Sequence, residues 1–140
     1  MSRVFWDTNL YIYLIEGRSA LAGKVEALRK KMRDRGDELF TSTLTVGEAL
    51  VKPLAQGDYG LAAAFQKGIA ASSALIAFDD KAAWTYARLR RDRSLRAPDA
   101  IQLACAATAS VDLFITNDTR LHSKQVAGIQ FIVPLDRVPF

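Results

Sequence analysis

The chain has 140 residues, half of them hydrophobic, which excludes a disordered protein and matches one domain of ordinary size, residues 1–140. Its formal net charge of +4 permits a polyanionic partner without requiring one, and its single cysteine and single histidine exclude an intrachain disulfide and a Cys/His zinc cluster. No apolar run approaches the roughly 20 residues of a membrane span, and Asp7 interrupts the N-terminal apolar run, so we expect a cytoplasmic protein without membrane contact.

In the first half of the chain, two predicted strands alternate with helices. In chain order, the predicted elements are strand 4–6, helices 9–16 and 19–35, strand 38–41, and helices 45–53 and 59–70. The second helix carries an apolar stripe with the helical spacing of 4, 3 and 4 residues. Gly17, Gly36 and Pro53 are predicted to end the first three helices.

The second half of the chain continues the alternation. The predicted elements are strand 74–78, helices 80–93 and 98–109, and strands 113–116 and 130–133. Strands that alternate with single helices or helix pairs favour an α/β fold in which helices cover both faces of a central parallel sheet. The strands are short and apolar, which is typical of strands buried on both faces.

Four acidic residues follow predicted strands or open predicted helices: Asp7, Glu48, Asp99 and Asp118. The carboxyl ends of parallel strands share one edge of the sheet, where ligand sites form. Each acid alone also fits a structural role, because acidic residues near helix N-termini favour the helix dipole and can cap a turn. Together they would repel one another, and a bound cation would offset that repulsion. All-oxygen ligands favour Mg²⁺ or Mn²⁺, which can promote phosphodiester hydrolysis.

Four stretches of the sequence resemble, in order, the four motifs of PIN-domain nucleases. They are FWDTNLYIYL at 5–14, TSTLTVGEAL at 41–50, LRAPDAIQLA at 95–104 and FITNDTRL at 114–121. The short, single-domain chain is similar to VapC-type toxins of toxin–antitoxin pairs. The resemblance implies an α/β/α sandwich and a Mg²⁺- or Mn²⁺-dependent endoribonuclease, a hydrolase that forms a homodimer and binds a cognate antitoxin.

The resemblance also implies roles for individual residues. Asp7, Asp99 and Asp118 are the implied metal ligands and, with Glu48, the implied catalytic residues, where Glu48 either binds the metal or orients a metal-bound water. The residues implied to shape the site through hydrogen bonds are Thr8, Asn9, Thr116 and Asn117. Some family members carry a further acid shortly after the last aspartate, whereas Thr119, Arg120 and Leu121 follow it in this chain, so the number of metal ions stays open.

Two basic segments, residues 24–35 and 88–96, contain six and five Lys or Arg residues. The first is interpreted as a solvated helix face, because its charges lie away from the apolar stripe of the helix. The second leads directly into Asp99 and is predicted to contact the RNA backbone. The predicted RNA-binding residues are Arg90, Arg91, Arg93 and Arg96.

The leading hypothesis is an endoribonuclease that acts as the toxin of a type II toxin–antitoxin system. The alternatives are a housekeeping PIN-domain nuclease and a catalytically silent RNA-binding adaptor. The four acids argue against the adaptor, because negative charge near a phosphate backbone does not help a binding module. A phosphohydrolase of the haloacid dehalogenase type would need a second aspartate where Asn9 stands.

Overall fold

Five short strands form one parallel sheet at the centre of the computed structural model, which describes residues 1–140. In chain order they are β1 (Arg3–Trp6), β2 (Glu38–Ser42), β3 (Ala74–Ile76), β4 (Val111–Ile115) and β5 (Ile129–Val133). Their spatial order is β3-β2-β1-β4-β5, and every pair of neighbours is parallel. All five carboxyl ends therefore share one edge of the sheet, with β1 in the middle.

Six α-helices connect and cover the strands. They are α1 (Thr8–Glu16), α2 (Ala20–Arg35), α3 (Thr43–Ala55), α4 (Tyr59–Ser72), α5 (Asp80–Leu89) and α6 (Ala97–Thr108). Helices α1 to α4 pack on one face of the sheet, and α5 and α6 pack on the other. This arrangement confirms the predicted α/β/α sandwich. None of the helices combines the length and the apolar character that crossing a membrane requires.

Successive side chains of β1 enter two different hydrophobic cores. Val4 and Trp6 point into the core beneath α1 to α4, whereas Phe5 points into the core beneath α5 and α6. Phe5 stacks on Phe114 of β4, with ring centroids 5.0 Å apart. The alternation follows from the two-residue period of a strand, and burial on both faces explains why β1 is apolar throughout.

Several predicted element ends are wrong. Helix α4 ends at Ser72 instead of residue 70, β3 ends at Ile76 instead of residue 78, and two further helix ends differ for a local reason. Pro53 does not end its helix, which continues to Ala55, because a proline in the last turn removes only one amide hydrogen bond. The helix α5 ends at Leu89, four residues before its predicted end. Beyond it, the Asp92 carboxylate accepts a hydrogen bond from the amide of Ser94 at 3.0 Å. This local turn takes the place of another helical turn, because the amide of Ser94 bonds to a side chain instead of a backbone carbonyl.

Gly128 precedes β5 in a conformation that excludes any side chain. Its φ angle is +97°, and a Cβ atom there would lie 2.6 Å from the carbonyl oxygen of Ala107. We predict that Gly128→Ala lowers the free energy of unfolding by about 2 kcal/mol or more, from backbone strain and overpacking. Chemical denaturation followed by circular dichroism measures the change.

The matched control is Gly23→Ala at an exposed position in the N-terminal part of α2, where no atom outside the local helix backbone lies within 4 Å of the new Cβ position. This substitution should raise the free energy of unfolding by about 0.5–1 kcal/mol, because it restricts the unfolded chain and favours helix. Equal stability of the two variants would contradict the prediction.

Candidate active site

Four carboxylates line one pocket of about 320 Å³ at the carboxyl edge of the sheet. Asp7 directly follows β1, Glu48 lies on α3, Asp99 lies in the first turn of α6, and Asp118 follows β4. The structure therefore brings together the four acids that the sequence pattern singled out. They come from elements that are far apart in sequence and meet only because the strands are parallel.

Asp7 is the most deeply buried of the four acids. Its carboxylate accepts hydrogen bonds from the amide of Thr8 at 2.8 Å, from the hydroxyl of Thr116 at 2.8 Å and from the side-chain amide of Gln102 at 3.3 Å. Its own backbone amide donates to the carbonyl of Ile115 in β4 at 3.0 Å. Asp7 thus caps α1 and continues the sheet while its side chain faces the pocket.

The surroundings of Asp7 oppose its negative charge. Burial raises the pKa of the Asp7 carboxyl above its usual value, and the nearby charges of Asp99 and Glu48 add to the increase. The hydrogen bonds from Thr116 and Thr8 act in the opposite direction and lower the pKa. A cation in the pocket would favour the ionised carboxylate in the same way.

Gln102 connects the acids to the sheet, a role that was not predicted from the sequence. The side chain is buried, and its amide nitrogen donates to the hydroxyls of Thr45 at 2.8 Å and Thr8 at 3.0 Å as well as to Asp7. Its oxygen accepts a hydrogen bond from the hydroxyl of Ser42 at the end of β2. The available signal was its spacing, because a residue three positions after Asp99 lies on the same helix face.

Glu48 lies at the exposed rim of the pocket. The hydroxyl of Thr8 donates to its carboxylate at 2.6 Å. Thr8 is therefore shared between the buried network around Gln102 and an acid that solvent reaches. This acid is held by one hydroxyl and is otherwise free to face a ligand.

The other predicted site-shaping residues fix the end of β4. The side-chain amide of Asn9 donates to the hydroxyl of Thr116 at 3.1 Å, and the backbone amide of Asn117 donates to the oxygen of Asn9 at 3.4 Å. The side chain of Asn117 itself accepts a hydrogen bond from the amide of Leu135 at 2.9 Å, so it ties the C-terminal segment to this end of the sheet.

Arg120 contacts two of the four acids. Its guanidinium forms a two-pronged contact with the carboxylate of Asp118, where Nε donates at 2.9 Å, and it lies 3.5 Å from the carboxylate of Asp99. The hydrogen bond from Arg120 holds the pKa of Asp118 below its usual value, and the same contact raises the pKa of Arg120. The sequence shows that Arg120 stands where some family members carry a further acid, but the contact of this arginine with Asp118 and Asp99 was not predicted.

The oxygen donors of the pocket fit a hard divalent cation, because no nitrogen or sulfur ligand is among them. In the present side-chain arrangement no three acids form a group that could hold one ion. Asp118 lines the pocket and is at the same time paired with the guanidinium of Arg120. A cation bound by Asp118 would therefore compete with Arg120 for the same carboxylate.

The four arginines predicted to bind RNA are all exposed, but they contact different parts of the molecule. Arg96 directly precedes α6, and its Nε lies 3.7 Å from the carboxylate of Asp99. Arg90 instead donates to the hydroxyl of Tyr86 at 2.9 Å, and Arg91 lines a separate pocket. Of the four, only Arg96 contacts an acid of the candidate site.

The amino-acid sequence from residue 4 to residue 127 matches the family model of the PIN domain. No curated protein sequence matches the chain closely enough to count as a relative. Among solved structures, the fold is similar to a chain of DNA-bound VapBC from Salmonella typhimurium, with a TM-score of 0.73 and 16% identity over 96% of this chain and 99% of that one.

Two further structures have a similar fold. VapBC2 from Rickettsia felis, bound to a DNA fragment from its promoter, has a TM-score of 0.70 and 14% identity over 94% of this chain and 98% of that chain. VapBC-5 from Mycobacterium tuberculosis, a member of the VapBC family of toxin–antitoxin systems, has a TM-score of 0.64. Its identity is 21% over 95% of this chain and 99% of that chain. At these identities the similarity establishes a shared fold.

The contact between Arg120 and two acids predicts the effect of removing it. Arg120→Ala should strengthen Mn²⁺ binding by about three- to tenfold, because the cation no longer displaces a positive charge. Isothermal titration calorimetry at low ionic strength measures the dissociation constant. Arg33→Ala on α2 removes the same charge from an exposed position away from the pocket and should leave the constant unchanged. Equal constants for wild type and Arg120→Ala would contradict the prediction.

Proposed function

Because the chain belongs to the PIN domain family, we propose that it is a metal-dependent endoribonuclease and the toxin of a type II toxin–antitoxin pair. The observation that carries this proposal is the convergence of four carboxylates in one pocket at the carboxyl edge of the sheet. We take residues 1–140 as one PIN domain, because β5 lies beyond the matched residues and still pairs with β4.

In this proposal, Asp7, Asp99 and Asp118 hold Mg²⁺ or Mn²⁺. When bound, such an ion binds a phosphate oxygen, lowers the pKa of water and stabilises the leaving alkoxide. Glu48 is the acid best suited to orient the attacking water, because it is exposed and has one hydrogen bond, from Thr8. The buried Gln102 donates hydrogen bonds to Asp7 and to Thr8, and Thr8 in turn donates to Glu48, so one network holds both acids.

Positive charge around the pocket supports RNA as the substrate. The net charge of the chain is +4 although the pocket itself is acidic. Arg96 lies beside Asp99, and Arg90, Arg91 and Arg93 are exposed in the segment that precedes it. We propose that these arginines bind the phosphate backbone on one side of the cleaved bond.

The proposed partners are a cognate antitoxin and a second copy of this chain. The structures with similar folds are described as VapBC or as toxin–antitoxin systems, which supports an antitoxin partner. Large apolar side chains are exposed on α3 and α4: Val51, Leu54, Tyr59 and Leu61. An apolar surface of this kind supports the homodimer.

We predict that Asp7→Asn, Asp99→Asn and Asp118→Asn each reduce RNA cleavage by about a hundredfold or more, because each removes one proposed metal ligand. Initial rates on a labelled RNA measure the effect, and circular dichroism checks that each variant is folded. The control is Asp80→Asn, an identical change at an exposed position in the first turn of α5. Near wild-type cleavage by two of the three variants would refute the assignment.

The same assay tests whether cleavage requires a divalent metal ion. EDTA should stop cleavage by the wild type, and added Mg²⁺ or Mn²⁺ should restore it. Ca²⁺ should bind but support little turnover, because it accepts looser geometry and activates water less. Full activity after exhaustive removal of metal would exclude a metal-dependent reaction.

The toxin role predicts that expression of the wild type arrests growth, because unrestrained cleavage of cellular RNA stops protein synthesis. Asp7→Asn should relieve the arrest, whereas Asp80→Asn should not. The measurement is growth after induction, at matched soluble levels, in the original host lineage without antitoxin. Equal growth with wild type and Asp7→Asn would refute the toxin role and leave the housekeeping nuclease, which the cleavage assay detects separately.

A further inference from the structure

Helix α5 exposes a tryptophan between two basic side chains. Trp84 is 74% exposed, more than any other large apolar side chain except that of Met1 at the N-terminus. Large aromatic side chains are usually buried for most of their area, because a ring left in water forfeits a large hydrophobic contribution. No other aromatic ring and no guanidinium of the chain stacks on this indole. The ring is therefore available to a ligand.

Trp84 lines a surface cleft of about 300 Å³ that contains two cations and no acid. Lys81 and Arg88 lie three residues before it and four residues after it, so the three side chains share one face of α5. Neither cation has a carboxylate of the chain within 4.0 Å. The remaining lining residues are small or carry a hydroxyl group: Thr85, Ala107, Thr108, Ser110 and Ala127. The cleft thus combines one aromatic ring with uncompensated positive charge.

A second basic cleft adjoins the first. It has a volume of about 670 Å³, and Arg88 lines both clefts. Arg91 and Lys124 contribute two further cations. The one acid of the second cleft, Asp92, is already paired with Lys124 at 2.8 Å. Positive charge therefore exceeds negative charge in both clefts.

Contacts between side chains lead from the second cleft to the candidate active site. Lys124 also donates to the hydroxyl of Ser94, in the segment between α5 and α6. Arg96 follows two residues later, and its Nε lies 3.7 Å from the carboxylate of Asp99. A phosphate backbone that passes the acids would therefore meet positive charge on its way to the tryptophan.

The chemistry around Trp84 favours a nucleic acid over a protein partner. The centre of a protein interface surrounds an aromatic anchor with other apolar side chains, whereas cations and hydroxyl groups surround this indole. A single nucleic-acid strand carries an aromatic base beside each phosphate, so it matches one ring flanked by two cations. A duplex keeps its bases within its own stack and offers none to the indole.

We propose that Trp84, Lys81 and Arg88 form a binding site for an unpaired nucleotide of a single-stranded RNA. The indole stacks on the base, and the two cations bind the phosphates on either side of it. This inference rests on the proposed function, because it takes this RNA to be the strand that the candidate active site cleaves. It adds to that function a preference for substrates with unpaired bases away from the cleaved bond.

The first test measures binding of a fluorescein-labelled RNA of about twelve uridines, a strand without secondary structure, by fluorescence anisotropy. EDTA is present throughout, so the test gives a result whether or not the chain cleaves RNA. Trp84→Ala should weaken binding by about five- to fiftyfold, because stacking on the base is lost. Trp84→Phe keeps an aromatic face and should weaken binding by no more than about threefold. The matched control, Phe131→Ala, removes a ring that is 63% exposed on β5 and should bind as the wild type does.

The two tryptophans of the chain allow stacking to be observed directly. The ¹H–¹⁵N signal of the Trp84 indole should shift when the RNA is added. The signal of Trp6, which is 1% exposed, should not shift and serves as an internal control. An RNA backbone of the same length without bases should bind equally to the wild type and to Trp84→Ala, because it has nothing to stack on the ring.

Two charge variants test the contacts to phosphate. Lys81→Gln and Arg88→Gln should each reduce the slope of log K against log salt concentration by about 0.7, because each removes one phosphate contact on a single strand. Lys67→Gln removes an exposed cation from α4, on the opposite face of the sheet, and should leave the slope unchanged.

The outcomes separate this site from the proposed nuclease. Equal affinity of the wild type and Trp84→Ala for the single-stranded RNA, or no binding of this RNA at all, would overturn the proposal even if the chain cleaves other RNA. Binding that depends on Trp84 without any cleavage would support the site and refute the nuclease.

Discussion

The fold and the candidate site both depend on the buried carboxylate of Asp7. Its backbone continues the pairing of β1 with β4, its side chain caps α1, and the same side chain accepts hydrogen bonds from Thr116 and Gln102. Burial raises its pKa, so its surroundings oppose the ionised form of the carboxyl group. The side chain that caps α1 is therefore also a group whose negative charge a bound cation would stabilise.

The remaining acids around Asp7 differ in the number and kind of contacts that hold them. Glu48 at the rim has one hydrogen bond, and Asp118 is paired with Arg120, which also approaches Asp99. Arg120 offsets the repulsion between neighbouring carboxylates in the absence of a metal. A network of neutral groups around Gln102 keeps the acids in position without adding charge to the pocket. The neutral hydrogen bonds of Gln102 thus fix the positions of the acids, whereas Arg120 partly compensates their negative charge.

The sequence predicted the sheet and the four acids because both depend on chain order. Short apolar runs become strands, parallel strands end at one edge, and acids that follow them must meet there. The contacts of Gln102 and the approach of Arg120 to Asp99 depend on side-chain packing between separate elements, which no periodicity records. Two of the wrong helix ends have local causes. Pro53 lies where one lost hydrogen bond is tolerated, and the turn at Asp92 competes with the helix.

The alternation along β1 also fixes its length. Val4 and Trp6 face one core, Phe5 faces the other, and Asp7 follows at once at the pocket. Deleting or inserting a single residue in this strand would turn every later side chain to the opposite face and carry Asp7 away from its partners. Changes in length at this point would therefore abolish fold and site together, whereas exposed turns such as the one at Gly57 can absorb them. We expect related chains to differ in length at the turns and to keep the spacing from Val4 to Asp7.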